Sequence, residues 1–280
     1  MSAKIIDGRK IAERIINELK AKVKASKEKP GLALVLVGDN PASEIYVNFK
    51  EKTCKEVGFY CERFNLNKDI SELDLLNLIN GLNRKTNIHG ILVQLPLPKQ
   101  IDEHLIINSI LPQKDVDGFT PVNLGYLVSE NIILAPATAR AVLHLIESIG
   151  ISIEGKNAVV VGRSKIVGKP TAMMLLEKNA TVTICHSKTK NLAEHTKKGD
   201  ILVAAVGKPK LITKEMVKEG AIVIDVGINR VNGKLVGDVD FDNVKGTAGF
   251  ITPVPGGVGP MTIAMLMENT LKAMELSKKM

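Results

Sequence analysis

The chain has 280 residues, 45% hydrophobic and 24% charged, a globular balance, and at roughly 150 residues per domain it has room for about two domains. Lys and Arg number 38 against 30 Asp and Glu, a net charge of +8, which suits nucleic acid, an anionic membrane surface or a polyanionic small ligand. Aromatic residues are only 3%, with no Trp, too few for a single-strand nucleic-acid surface built on stacking; no apolar run is long enough to span a membrane.

In chain order, the N-terminal 15 residues alternate charged with apolar positions and lack the apolar core of a secretory leader. The lysine-rich run 20–29 reads as the solvated face of a first helix. Short apolar runs rich in Val, Ile and Leu then recur as strand candidates at 32–37, 60–66 and 91–95, and again at 158–161, 181–185, 201–206 and 221–226. Helical spacing falls at 41–57, 72–82, 139–149, 170–178 and 214–218, with a last helix at 262–277. Strands alternating with helices predict an α/β fold with parallel sheets covered on both faces. Asn40-Pro41 and Ser71-x-x-Asp74 read as helix starts; Gly58, Gly150, Gly199 and Gly220 read as left-handed helix ends. The segment 114–136, with two Pro, two Gly and no helical period, is taken as the domain junction. It sets a first domain of 1–137 plus 262–280 against a second of 138–261. Cys54, Cys61 and Cys185 are widely spaced and odd in number, which predicts reduced thiols and a cytoplasmic setting.

The second half carries the signs of a dinucleotide site. Strand 158–161 runs into Gly162-Arg163-Ser164-Lys165-Ile166-Val167-Gly168-Lys169-Pro170 and then into helix. A glycine turn there aims backbone N–H groups and a helix N-terminus at a pyrophosphate. It departs from the Gly-x-Gly-x-x-Gly fingerprint, because Ser164 takes the second glycine's place and the last glycine falls one residue late. The next strand ends in Cys185-His186-Ser187-Lys188-Thr189-Lys190, with no acid to bind a ribose hydroxyl. Hydroxyl, imidazole and cation suit a 2′-phosphate, so the expected cofactor is NADP, with Arg163 adding a bidentate contact. Glycine-containing loops at 204–209 and 225–228 would let a cofactor approach. A turn without ligand and a solvated helix start are the competing readings.

In the first half, Ser43, Tyr46 and Lys50 share one helix face. A lysine beside a tyrosine on a half-buried face can have a lowered pKa and serve in proton transfer. Gln94 sits near a strand's carboxyl end, and Asp117, before a glycine, can accept the two parallel donors of an aminopyrimidine ring. No His or Cys cluster accompanies Asp115 and Asp117, so no metal is expected. The Pro- and Gly-rich stretch 252–262 reads as a wall of backbone close to a flat ligand.

Together the segments 46–50, VQLPLP at 93–98, KDVDGF at 114–119, GRSKIVGKP at 162–170, CHSKT at 185–189, VIDVGIN at 223–229, GDVDF at 237–241 and ITPVPGGVGPMT at 251–262 resemble the bifunctional methylenetetrahydrofolate dehydrogenase/cyclohydrolase family, along the whole chain. The resemblance implies NADP-dependent oxidation of 5,10-methylenetetrahydrofolate to the methenyl compound, then hydrolysis to 10-formyltetrahydrofolate. It implies two α/β domains flanking a cleft, the second Rossmann-like and NADP-binding, with the C-terminal helix packing back on the first, in a homodimer. Lys50 would be the hydrolytic group, Tyr46 would stack on the folate, Gln94 would hold the lysine and Asp117 would anchor the pterin. Gly256, Gly257 and Pro260 would line the substrate side. Gly162, Arg163, Ser164, Ile166, Ser187, Gly207 and Ile228 would hold the cofactor. The substrates would be tetrahydrofolate derivatives, with polyglutamate tails suiting the basic surface; no nucleic acid or membrane partner is implied. At 136–141 the chain reads Pro-Ala-Thr-Ala-Arg-Ala where the family commonly reads Pro-Cys-Thr-Pro-x-Gly. Alanine favours helix, so a helix is still expected there. The rival readings are a dehydrogenase acting on another small substrate and a basic nucleic-acid-binding protein.

Overall fold

A computed structural model describes residues 2–278. Along the chain come β1 (Lys4–Ile5), α1 (Gly8–Ala25), β2 (Gly31–Val37), α2 (Pro41–Val57), β3 (Tyr60–Leu66), α3 (Glu72–Arg84), β4 (Gly90–Val93), α4 (Glu103–Ser109), α5 (Pro121–Val128) and α6 (Ala137–Glu147). These are followed by β5 (Asn157–Val161), α7 (Gly168–Glu177), β6 (Thr181–Cys185), α8 (Leu192–Thr196), β7 (Ile201–Ala204) and β8 (Ile222–Asp225). The short hairpin β9 (Asn229–Val231) and β10 (Lys234–Val236), α9 (Phe241–Val244), β11 (Phe250–Ile251) and α10 (Val258–Ser277) complete the order. The chain divides into two compact units. One comprises 14–137 with the chain from Ile263 on, and the other the chain up to Glu13 with 138–262.

The first unit holds a three-stranded parallel sheet in the order β3-β2-β4. Its centre is β2, Gly-Leu-Ala-Leu-Val-Leu-Val, buried along its whole length. A central parallel strand needs apolar side chains on both faces, which is why it reads as a continuous run and not as an alternation. Ala33, Val35 and Val37 pack with Leu75, Ile79 and Leu82 of α3 and with Ile91 and Val93 of β4. The edge strand β3 tolerates Glu62, Arg63 and Asn65. Parallel neighbours need crossovers, supplied by α2 and α3. Asn40 caps α2, accepting from the N–H groups of Ala42 (3.0 Å) and Ser43 (3.2 Å), and Gly58 ends it at φ 90°. Ser71 caps α3 through the Asp74 N–H at 3.1 Å.

The second unit holds a six-stranded sheet in the order β1-β11-β8-β7-β5-β6, parallel throughout. Val159, Val161, Leu202, Ala204, Val223 and Ile251 form its core. The chain leaves β5 toward β6 on one side and later returns to β7 on the other. That reversal is a switch point, where a crevice opens beyond the carboxyl ends of the strands.

Several sequence expectations are corrected. Residues 2–13 do not stay with the first sheet, because β1 pairs with β11. The junction 114–136 contains α5, an eight-residue helix that Thr120 caps through the Asn123 N–H at 3.3 Å; it is too short to show a period. The 214–218 helix is a single 3-10 turn, Lys214–Met216. Gly150 and Gly220 are left-handed, at φ 72° and 76°, but Gly199 is not. The last helix begins at Val258, so Gly259 and Pro260 lie in its first turn, where proline is tolerated. The departure at 136–141 leaves α6 intact, with Ala137, Ala139 and Ala141 buried. No helix among the described residues is long and apolar enough to cross a membrane.

Candidate active site and cofactor-binding loops

Lys50 lies on the inward face of α2 with Ser43, Val47 and Cys54. Its side chain is only 9% exposed, and its Nζ donates to Gln94 Oε1 at 3.0 Å. Gln94 follows the last residue of β4, and its Nε2 donates to the Leu95 carbonyl at 2.8 Å. The amide is therefore locked with its oxygen toward the lysine. Burial lowers the Lys50 pKa, and the negative charge of Asp117 opposes that by a smaller amount. Burial likewise raises the Asp117 pKa against the opposing pull of Lys50, with Asp115 adding to the rise. Tyr46, one turn before Lys50, is half-buried, and burial raises its phenol pKa.

The two aspartates flanking Val116 do different things. Asp115 is buried, and its carboxylate accepts from the N–H groups of Phe119 (3.1 Å) and Thr120 (2.8 Å) and from Asn123 Nδ2 (2.9 Å). It is spent on the turn leading into α5. The Asp117 carboxylate takes no hydrogen bond or ion pair among the described residues and remains available to a ligand. Gly118 follows at φ 72°, so close to the backbone of Ala135 and Pro136 that a Cβ would stand 2.6 Å from it. Asn269, from the returning part of α10, donates to the carbonyls of Val116 (2.8 Å) and Ala135 (2.9 Å). Asp115 and Asn269 thus hold the Asp117 loop from two sides. The sequence reading missed Asn269, since nothing local marks an asparagine 153 residues from its partner.

The other expected residues lie on the six-stranded unit. Gly162 ends β5 at φ 134°, and a Cβ there would meet the Ala205 carbonyl oxygen at 2.1 Å. Gly168 opens α7 where a Cβ would stand 2.2 Å from the Gly162 carbonyl oxygen, so both glycines are required by close approach. Ser164 Oγ accepts from the N–H groups of Val167 (3.1 Å) and Gly168 (3.2 Å), and its carbonyl takes the Lys169 N–H at 3.0 Å. The first N–H groups of α7 are therefore satisfied within the turn. Among the described residues, the N–H groups of Arg163, Ser164 and Ile166 make no hydrogen bond. The N–H groups without a partner in this stretch thus belong to the turn that precedes α7.

The tip after β6 folds into a turn. His186 Nδ1 accepts the Lys188 N–H at 3.1 Å and Thr189 Oγ1 accepts the His186 N–H at 2.9 Å. The imidazole's acceptor is consumed there, while Ser187, Lys188 and Lys190 are exposed. Gly207, at φ 65°, and the exposed Ile228 stand on the loops after β7 and β8. Of the proline-glycine stretch, Gly256 is left-handed at φ 108° and Gly257 is closely packed, with room for no Cβ beside the Pro253 carbonyl at 2.6 Å. These loops offer glycine approach, backbone N–H groups, a serine hydroxyl and exposed cations, which fits a dinucleotide with an added phosphate. No group of three or more His, Cys, Asp or Glu is placed to hold a metal among the described residues.

Comparison with known proteins decides the family. Residues 6–117 match the tetrahydrofolate dehydrogenase/cyclohydrolase catalytic domain, and residues 136–278 match the NAD(P)-binding domain of the same family. The chain belongs to the tetrahydrofolate dehydrogenase/cyclohydrolase family. It is 57% identical over 277 residues to the bifunctional protein FolD of Moorella thermoacetica, covering 98% of this chain and 99% of that one. The crystal structure of FolD from Campylobacter jejuni superposes with a TM-score of 0.96 at 49% identity, covering 99% and 100% of the two chains. The Trypanosoma brucei FolD structure, complexed with NADP and an inhibitor, gives 0.96 at 39%, covering 100% of both. Shikimate 5-dehydrogenase of Thermus thermophilus, at 13% identity and a TM-score of 0.54, shares the fold alone. The protein is a bifunctional α/β enzyme with a dehydrogenase and a cyclohydrolase activity on tetrahydrofolate derivatives and a nicotinamide-dinucleotide-binding domain. That outcome removes the reading as a dehydrogenase on another substrate.

Proposed function

We propose that the three-stranded unit handles the folate carbon and the six-stranded unit the dinucleotide, with NADP as the cofactor. Bound at the switch-point crevice, NADP supplies the hydride acceptor. The Arg163, Ser164 and Ile166 backbone takes the pyrophosphate, with Ser187 and the Arg163 side chain on the 2′-phosphate. Gly162, Gly207 and Ile228 shape the crevice, and Gly256, Gly257 and Pro260 line the substrate's side. Oxidation needs no protein base, because the lone pair of the imidazolidine nitrogen drives hydride loss; positioning is the protein's task.

Hydrolysis is the work of Lys50. Its substrate, the methenyl compound left by the oxidation, is a cation, which a neutral lysine tolerates and an ammonium repels. Neutral Lys50 takes a proton from the water that attacks the methenyl carbon. The carbon–N5 bond then breaks, N5 takes up a proton, and one proton is released net as 10-formyltetrahydrofolate forms. Gln94 holds the lysine by accepting from it, Asp117 anchors the pterin through its two parallel donors, and Tyr46 stacks against the ring. The observation that carries this reading is the 3.0 Å Lys50–Gln94 hydrogen bond within reach of the Asp117 charge. Polyglutamylated folates suit the basic surface; a homodimer and a cytoplasmic setting complete the reading. The test is absorbance during incubation with 5,10-methylenetetrahydrofolate and NADP, then NAD, followed by direct methenyl hydrolysis. NADP-preferring oxidation with accelerated hydrolysis is expected, and equal use of both cofactors would remove the phosphate site. Light scattering at assay concentration reads the dimer.

A further inference from the structure

Two buried carboxylates sit at the ends of strands of the six-stranded sheet with no cationic partner among the described residues. Asp225, the last residue of β8, accepts from the N–H groups of Gly227 (3.0 Å), Asp238 (2.9 Å) and Val239 (2.9 Å). Asp238 is fully buried; its Oδ2 accepts from the N–H groups of Val206 (2.6 Å) and Gly207 (2.9 Å), and its Oδ1 from Asn229 Nδ2 (2.9 Å). The site is packed without slack. A Cβ on Gly227 would stand 2.2 Å from Asp238 Oδ1, and one on Gly237 would stand 1.8 Å from Asp225 Oδ2. One side chain, Asp238, therefore ties the loop after β7 to the loop after β8, and Asp225 ties the segment 237–239 back to the strand. Buried carboxylates satisfied only by N–H donors are costly to keep, and a fold that needed only to end two strands has cheaper ways to do so. Val206-Gly207 and Ile228 are the backbone that the two loops present at the crevice.

We propose that Asp238 and Asn229 form a positioning pair that sets the loops carrying Gly207 and Ile228, and that NADP binding depends on this pair while methenyl hydrolysis does not. The proposal rests on the assignment of those loops to the cofactor. Hydrolysis of the methenyl compound uses no dinucleotide, and Lys50, Gln94 and Asp117 lie in the other unit, so it serves as an internal control for folding. Asn229→Asp sets a second carboxylate against Asp238 Oδ1 and removes the Nδ2 donor there, leaving Asp238 only the Val206 and Gly207 N–H groups on Oδ2. Loss of one charge-assisted hydrogen bond is worth about tenfold in binding or more, so the KM for NADP should rise by about that factor. The kcat at saturating NADP should change less, and hydrolysis should stay at the parent rate. Adding Asp238→Asn to Asn229→Asp should restore NADP binding, because the amide introduced at 238 keeps an oxygen for the Val206 and Gly207 N–H groups and turns its own N–H toward the new carboxylate.

An unchanged KM for NADP in Asn229→Asp would overturn the proposal. So would a parallel fall in hydrolysis, which would make the pair a general support of the fold, or failure of the double variant to recover. Ser187→Asp, tested alongside, reads the cofactor assignment separately. If it leaves NADP binding untouched, that assignment fails; if it weakens NADP while Asn229→Asp does not, only the positioning pair fails.

Discussion

A lysine withdrawn from water is held by what replaces its hydration, and around Lys50 the replacements are one amide oxygen and one nearby negative charge. Burial favours the neutral amine and Asp117 favours the ammonium, so the two set where the hydrolytic group becomes active. If the neutral amine is the working form, hydrolysis rises with pH through the Lys50 pKa. Asp117→Asn removes the charge that raises that pKa, so the rising limb should move to lower pH while the KM for folate increases. A limb that stays in place or moves up would contradict the assignment, and a stopped-flow pH series on methenyl hydrolysis reads it. The residue types of this site were legible in the sequence: a lysine one helical turn from a tyrosine, an amide at a strand's end, an aspartate before glycine. The capture of Asp115 by the turn into α5 was not, because its partners are two backbone N–H groups and an asparagine eight residues on. The carboxylates of Asp225 and Asp238 were hidden for a related reason. Apart from Asn229 Nδ2, their partners are backbone N–H groups, which carry no residue identity; burial pushes the Asp225 carboxyl up to about 6.

At the scale of elements, the strands and long helices were legible because each shows its period over enough residues. The central strand β2 and the helix α2 stand where their apolar runs and caps place them. The elements that escaped, among them β1, β9, β10, β11, α4, α5, α8 and α9, are short. The strands β1 and β11 are two residues each, and β1 exists because a partner 246 positions away supplies its ladder; a segment that short contains no period to read. The turn between β5 and α7 illustrates a constraint that the sequence shows only as a glycine. Gly168→Ala would drive a Cβ into the Gly162 carbonyl oxygen, backbone against backbone, and lift α7 off the turn that Ser164 organises. Such a clash costs on the order of 1–3 kcal/mol. The expected outcome is a lower denaturant midpoint together with weakened NADP binding by calorimetry. A variant with parental stability and affinity would mean that the close approach is not needed.

At the scale of the molecule, a net charge of +8 spread over the chain acts as a field on an anionic tail, not as a single binding site. Lengthening the glutamate tail of the folate should lower its KM, and that advantage should shrink as salt rises, since the screening length falls to about 3 Å at 1 M. A tail effect indifferent to salt would point to specific contacts instead. The larger claim is a division of labour in which hydrolysis belongs to Lys50 in one unit and dinucleotide binding to loops in the other. Lys50→Met tests it most directly, by measuring methenyl hydrolysis and NADP affinity on the same preparation. The account predicts hydrolysis lowered by about 10²-fold or more, the scale of a lost general base, with NADP affinity unchanged. Hydrolysis at the parental rate in that variant would contradict it.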